Sequence, residues 1–153
     1  MSSHRVSKLT ALALVALSLG GMAGEPHDLQ LQLVREGRFT YFAELDSVSR
    51  DGDIARVRSL QLSGEPMLIE EYRFIGGYSW WQFDCANKLG RRLDYASLRE
   101  DRVVGPVVPI NGTDIELAPG GEAAELATVA CGWTPARVDA NSLSAAIELS
   151  RDD

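Results

Sequence analysis

Two cysteines, and only two, follow an N-terminal segment laid out as an export signal. This combination bounds the fold more tightly than anything else in the chain. Cys85 closes the run Trp80-Trp81-Gln82-Phe83-Asp84-Cys85, and Cys131 closes Thr128-Val129-Ala130-Cys131. A chain that folds outside the cytosol meets oxidising conditions, so an isolated pair of cysteines reads as one structural disulfide. The rival readings are a reactive dithiol and a metal pair. Both ordinarily use a close C-x-x-C spacing, whereas here 46 positions separate the two residues.

The signal itself occupies residues 1–23. Arg5 and Lys8 form its basic start, Leu9 to Leu19 its apolar stretch, and Gly21 and Ala23 the small residues that a signal peptidase reads. An uncleaved membrane anchor is the alternative, but spanning a bilayer takes roughly 20 residues, and this stretch is eleven residues long, broken by Thr10 and Ser18. No cysteine follows it closely enough to carry a lipid anchor. The expected product begins near Gly24 and is periplasmic or secreted.

Loss of Arg5 and Lys8 takes the formal charge from −7 to −9. An acidic domain repels nucleic acid and anionic membrane surfaces, so neither is expected as a partner. Outside the signal the only histidine is His27 and the only lysine is Lys88. A histidine triad or a histidine-rich metal site needs imidazoles held in a packed scaffold, and with both cysteines consumed a thiol nucleophile is also lost. No metal or cofactor is expected.

Beyond the signal the chain reads mainly as strands. Leu29 to Leu33 alternates apolar and polar residues, as a half-buried strand does. Phe39 to Leu45 is a second strand, left by Asp46 to Arg50, and Asp51-Gly52 marks a tight turn. Ile54 to Leu62 is a third, whose apolar phase slips between Val57 and Leu60; a bulge near Ser59 would reconcile the two halves. After a loop over Ser63 to Pro66 come Met67 to Ile75, a break at Gly76-Gly77, and Tyr78 to Cys85. In that last strand Trp81, Phe83 and Cys85 share one face, and Tyr78, Trp80, Gln82 and Asp84 the other. Asn87-Lys88 turns the chain into Leu89 to Leu98. Val103 to Pro109, broken by prolines, suits an edge or an extended connection.

The C-terminal part differs in character. Glu122 to Cys131 is rich in alanine, with acids at its start, and predicts a helix whose apolar stripe carries Cys131. A weaker helix spans Ser142 to Leu149. The predicted fold is α+β: an antiparallel sheet of about six strands with a C-terminal helix docked on it. The domain is expected over 24–135, with 136–153 a helical or disordered tail. A Cys85–Cys131 bridge would pin the helix to the sheet and stabilise the fold by about 4 kcal/mol on the chain-entropy model.

The ordered set of these features resembles the surface-adhesin protein E family of exported proteobacterial proteins. It comprises an aromatic strand ending in Leu45-Asp46 with Ser47-Val48 after it, then Arg50-Asp51-Gly52, Phe83-Asp84-Cys85, and a strand through Leu93 and Tyr95. Gly105-Pro106-Val107-Val108, Pro119-Gly120-Gly121 and Val129-Ala130-Cys131 complete it. Order, spacing and the two cysteines carry the likeness over residues 29–133. The resemblance implies an antiparallel sheet bridged to a C-terminal helix, and a protein-binding rather than catalytic role.

Candidate surface residues are few. Tyr78 and Trp80 form either an aromatic contact patch, since aromatic residues anchor interfaces, or a face covered by the helix or a long loop. Lys88, Arg91 and Arg92 form either a basic site for an acidic partner or a solvated turn. Asp84 and Asp94 are abundant carboxylates rather than an acid pair, because such a pair needs an enclosing pocket that shifts one pKa. The function expected is an exported, non-catalytic binding domain with a protein partner. The alternatives are a periplasmic inhibitor of an envelope hydrolase, for which acidity would steer the domain toward a basic enzyme, and a small-ligand sensor.

Overall fold

The computed structural model describes residues 28–151; the expected export signal lies outside the described residues. Eight strands, all paired antiparallel, form the body: β1 (Leu31–Arg35), β2 (Phe39–Asp51), β3 (Ile54–Ile69), β4 (Tyr72–Asp84), β5 (Leu89–Arg92), β6 (Asp94–Arg99), β7 (Val108–Pro109) and β8 (Ile115–Glu116). Two helices follow, α1 (Glu122–Ala130) and α2 (Leu143–Leu149). The first four strands lie side by side in chain order. The outer edge of β4 is then shared, β5 pairing with its end at Trp81–Asp84 and β6 with Phe74–Tyr78. The sheet is thus larger than the six strands expected, partly because two-residue strands β7 and β8 extend its margin, and the weaker second helix docks on it as well as the first.

Both sheet faces are buried, but over different halves. On one face Ala43, Ala55, Val57, Trp81 and Phe83 pack against Ala123, Leu126, Ala127 and Ala130 of α1. On the other, Leu31, Phe42, Leu60, Leu62, Tyr78 and Leu98 pack against Ala140, Ala146 and Ile147 of the α2 segment. This explains the slipped phase of β3. Val57 and Leu60 point to opposite faces, and each face has its own helix at that level. No bulge is needed at Ser59, which stays in register with Ala43 and Ser79. Its buried hydroxyl accepts from Trp81 Nε1 at 3.2 Å and donates to the Ser79 carbonyl at 3.3 Å, so it supplies the polar partner that a buried indole requires.

The irregularity sits in β2 instead. The register shifts between Glu44↔Arg58 and Ser49↔Arg56, so Leu45 to Val48 stand opposite Val57 alone. The chain does not leave the sheet at Asp46, as the polar sequence suggested; it bulges and continues to Asp51. Ser47 stitches the bulge, donating to the Glu44 carbonyl and accepting from the Arg58 N–H, while Leu45 and Val48 turn toward α1. Ser63 to Pro66, expected as a loop, is a similar shift inside β3. Leu89 to Leu98 is interrupted at Leu93, between β5 and β6.

Gly76-Gly77 lies within β4 rather than ending a strand. Gly76 has φ +152, and a Cβ there would sit 1.9 Å from the Gln61 carbonyl oxygen; one on Gly77 would sit 2.4 Å from the Tyr95 ring. The pair lets a strand and an aromatic ring approach the backbone, as glycine in strands often does.

The Cys85–Cys131 disulfide is present, with Cα atoms 5.8 Å apart. Cys85 opens the β4–β5 turn and Cys131 caps the C-terminus of α1. Asp84 orders that turn by accepting from the Asn87 backbone and side-chain amides. The segment after residue 135 is tied back to β1. Ala140 pairs with Leu31, the Asp139 carboxylate accepts from the Leu33 N–H, and Gln32 accepts from the Arg137 N–H. Ser142 caps α2 through the Ala145 N–H, the usual role of serine at a helix start.

Candidate functional site

The helix-covered halves of the two faces leave part of one face bare. Beyond Tyr78, on the face that α2 covers lower down, the apolar cluster stops. The next cross-strand rows are polar. Arg58 lies opposite Trp80, and Arg56 lies between Ser49 and Gln82, with Gln82 opposite Arg91. Two adjoining hollows indent this surface. One, of about 370 Å³, is lined by Ser49, Arg56, Trp80, Leu93 and Asp94. The other, of about 420 Å³, is lined by Ser49, Arg50, Asp51, Ile54, Arg56 and Gln82. Arg56 and Ser49 belong to both.

Arg56 is the centre of this arrangement. Its Nε and Nη2 both donate to Gln82 Oε1, at 3.0 and 2.8 Å. This contact holds the planar guanidinium over the strand and leaves the remaining N–H groups directed to solvent. Arg58 and Arg91 approach carboxylates, Glu44 and Asp114, at 3.5 Å each. Among the described residues Arg56 makes no carboxylate pair; its hydrogen-bond partner is the Gln82 side-chain amide. Trp80 is half-buried, with its ring against one hollow. Its backbone N–H donates to Asp94 at 2.7 Å, which repairs the ladder where β5 gives way to β6.

The five expected contact residues do not form one site. Trp80 and Arg91 share the bare face. Tyr78 belongs to the core, 8% exposed, and is withdrawn from the surface. The Arg58 guanidinium lies 4.2 Å from its ring centroid, and burial pushes its phenol above the usual range. Arg92 lies on the opposite face, since β-strand neighbours alternate. It donates to the Ser79 hydroxyl at 2.8 Å and approaches the rings of Trp81 and Tyr95. Lys88 is exposed in the β4–β5 turn at φ +54, beside a separate groove that includes Leu117 and Trp133. The basic cluster read from Lys88, Arg91 and Arg92 is therefore split three ways by strand alternation and the turn.

Arg56, Ser49 and Gln82 carry the site, yet only Gln82 had been placed on the Trp80 face. Arg56 shares the Leu60 phase of β3, but the Arg56↔Gln82 register that joins it to Trp80 is a tertiary fact. Asp84 and Asp94 are each engaged by backbone N–H groups. The Asn87 amides hold the Asp84 carboxyl below its ordinary range, the reverse of what a general acid requires. Among the described residues no three histidine, cysteine or acidic side chains gather as a metal site, and no helix is long and apolar enough to cross a membrane.

No protein-family model matches the sequence, and no curated protein matches it. The fold, however, is similar to solved structures of Haemophilus influenzae protein E. Crystal form II of that protein aligns with a TM-score of 0.53 at 12% identity, over 76% of this chain and 97% of that one. A second structure of protein E gives 0.50 at 13% identity, over 71% and 90%. At such identity the likeness is one of fold, and at that level the expected resemblance holds.

Proposed function

We propose that this chain is an exported, non-catalytic binding module that engages a protein partner through the bare half-face carrying Trp80, Arg56, Gln82 and Arg91. The observation that carries this reading is the unequal cover of the sheet. Each helix closes one half of one face, and Trp80 belongs to neither apolar cluster, while Arg56 is exposed and Gln82 partly so. A half-buried tryptophan beside an arginine fork is the composition in which interface energy concentrates. The protein E-like fold agrees with such a role, and the disulfide suits a periplasmic or secreted product from which residues 1–23 have been removed. The two carboxylates that most invite a catalytic reading are committed to turn and ladder hydrogen bonds.

The test is capture from bacterial envelope and extracellular-matrix extracts with the mature protein, alongside a W80A/R91A double variant of unchanged melting temperature. The expected result is a partner retained by the parent and lost by the variant. Capture that is absent, or indifferent to the two substitutions, overturns the reading.

A further inference from the structure

A short loop beside Arg91 is chemically self-reactive. The chain holds three asparagines, and only Asn111 is followed by glycine. Glycine has no side chain to shield its own amide nitrogen or to restrict its backbone, so the Gly112 nitrogen can reach the Asn111 side-chain carbonyl carbon. Asn111 to Asp114 join β7 to β8 outside every strand and helix. At one end the Ile110 N–H donates to the Leu93 carbonyl at 2.8 Å; at the other Ile115 pairs with Gly90. Between these anchors, among the described residues, the loop makes no backbone–backbone hydrogen bond, and Asn111, Thr113 and Asp114 are exposed. The other two asparagines are placed differently. The Asn87 side-chain amide and N–H are both held by the Asp84 carboxylate, and Asn141 precedes Ser142, which caps α2.

The loop bears directly on Arg91. A Cβ on Gly112 would sit 3.8 Å from Arg91 Cγ and 3.1 Å from the Arg92 carbonyl oxygen. Asp114 approaches Arg91 Nε at 3.5 Å, yet that Nε is buried and has no hydrogen-bond partner among the described residues. The ion pair is therefore loose, and the path of the loop backbone sets it. We infer that Asn111-Gly112 converts spontaneously to aspartate and isoaspartate, and that the conversion resets the Asp114 contact of Arg91. The Gly112 nitrogen attacks Asn111 Cγ, a succinimide ring closes, and the side-chain amide nitrogen leaves as ammonia with the Gly112 amide proton. Water then opens the ring. Breaking the bond from nitrogen to Cγ gives aspartate; breaking the bond from nitrogen to the backbone carbonyl carbon gives isoaspartate. Water is the only co-reactant. Either product carries a carboxylate where a neutral amide stood. Isoaspartate also adds a methylene to the main chain between the Ile110 and Ile115 anchors, which displaces Gly112 from Arg91. The bearing of this change on partner binding rests on the reading of the bare face as the contact surface.

The test holds the mature protein in mildly alkaline buffer, native or unfolded in urea, and follows it by peptide mass mapping and an isoaspartyl methyltransferase assay. In the native protein the Asn111 peptide gains the amide-to-acid mass and accepts methyl groups, while the Asn87 and Asn141 peptides stay unchanged. The native rate lies within about tenfold of the unfolded rate, as befits a loop whose local opening costs almost no free energy. Asn111→Gln, which would need a larger ring, stays intact. Retention of Asn111 in the native protein while the unfolded chain converts overturns the proposal. So does equal conversion at Asn87 or Asn141 in the native protein. In isotopically labelled protein the Arg91 Nε–H resonance moves on conversion and that of Arg56 does not; an unmoved Arg91 signal overturns the coupling to Arg91. Capture distinguishes this from the contact surface itself. Converted protein is expected to retain a captured partner to a different extent from fresh protein. If W80A/R91A abolishes capture and conversion leaves it unchanged, the modification does not act on the surface and the surface stands. If capture ignores W80A/R91A, the surface is wrong, and the mass map alone decides the Asn111 chemistry.

Discussion

Arg50 does at a single position what no basic residue inside α1 does. The last turn of α1 contains no lysine, arginine or histidine. Arg50, arriving from the end of β2, donates through Nε to the Ala130 carbonyl at 2.6 Å and through Nη2 to the Val129 carbonyl at 3.2 Å. It thereby satisfies orphan carbonyls and places a positive charge at the negative end of the helix dipole. Gly132 is bound to the same arrangement: it has φ +70, and a Cβ there would meet the Arg50 guanidinium at 2.6 Å. Arg50→Ala is expected to lower stability by about 1 kcal/mol, and Gly132→Ala by about 1–3 kcal/mol because it combines left-handed strain with displacement of the arginine. Urea midpoints of the two variants and of the double variant measure this. The double variant should lose less than the sum, since both substitutions disturb one cap; strict additivity would argue against the coupling. The sequence shows Gly132 as a helix stop, which follows from local backbone chemistry alone. It shows nothing of Arg50, whose partner lies some 80 positions away.

At the scale of elements, the two helices are held by different means. The disulfide ties α1 to the β4–β5 turn, closing a loop of 46 residues, whereas α2 is only seven residues long and depends on burial and on the Ser142 cap. Short helices are marginal by themselves, and packing supplies their stability. Ile147, buried with Leu60 and Leu62, therefore carries much of the α2 attachment, and Ile147→Ala is expected to cost about 2–4 kcal/mol. Equilibrium unfolding measures it, with a near-zero change as the result that would detach α2 from the core. The alternating pattern of Tyr78 to Asp84 and the alanine-rich stripe of Glu122 to Ala130 were both legible, because each element's own period reports its buried face. The bulge at Leu45 to Val48 was not. It depends on which residue of β3 each β2 residue faces, and polar residues in a bulged strand look like residues in a loop.

For the whole molecule, both faces of one sheet serve as core, and its buried tyrosines make the fold sensitive to alkali. Burial raises Tyr41, Tyr78 and Tyr95 above the ordinary tyrosine range. Glu122 raises Tyr41 further, and the charges of Arg58 and Arg92 pull Tyr78 and Tyr95 partly back. The folded state keeps these protons where an unfolded tyrosine, with a pKa of about 10, has released them. Stability is therefore fully present below about pH 10 and falls as pH rises above it. Denaturation midpoints followed upward from neutral pH should be flat and then decline, with tyrosinate absorbance from these residues appearing together with unfolding; a flat profile through the tyrosine range would refute this. Residue order alone determined the strand-rich class, the cysteine pair, the bridged helix and the polarity of the strand phases, because these follow from period, turn chemistry and redox setting. Tertiary structure decided which half of each face is covered, that Tyr78 is core while Arg92 faces the other way, and that Arg56, held by Gln82, lines a hollow with Trp80. Register and helix placement are long-range choices, made by the packing of segments that are distant along the chain.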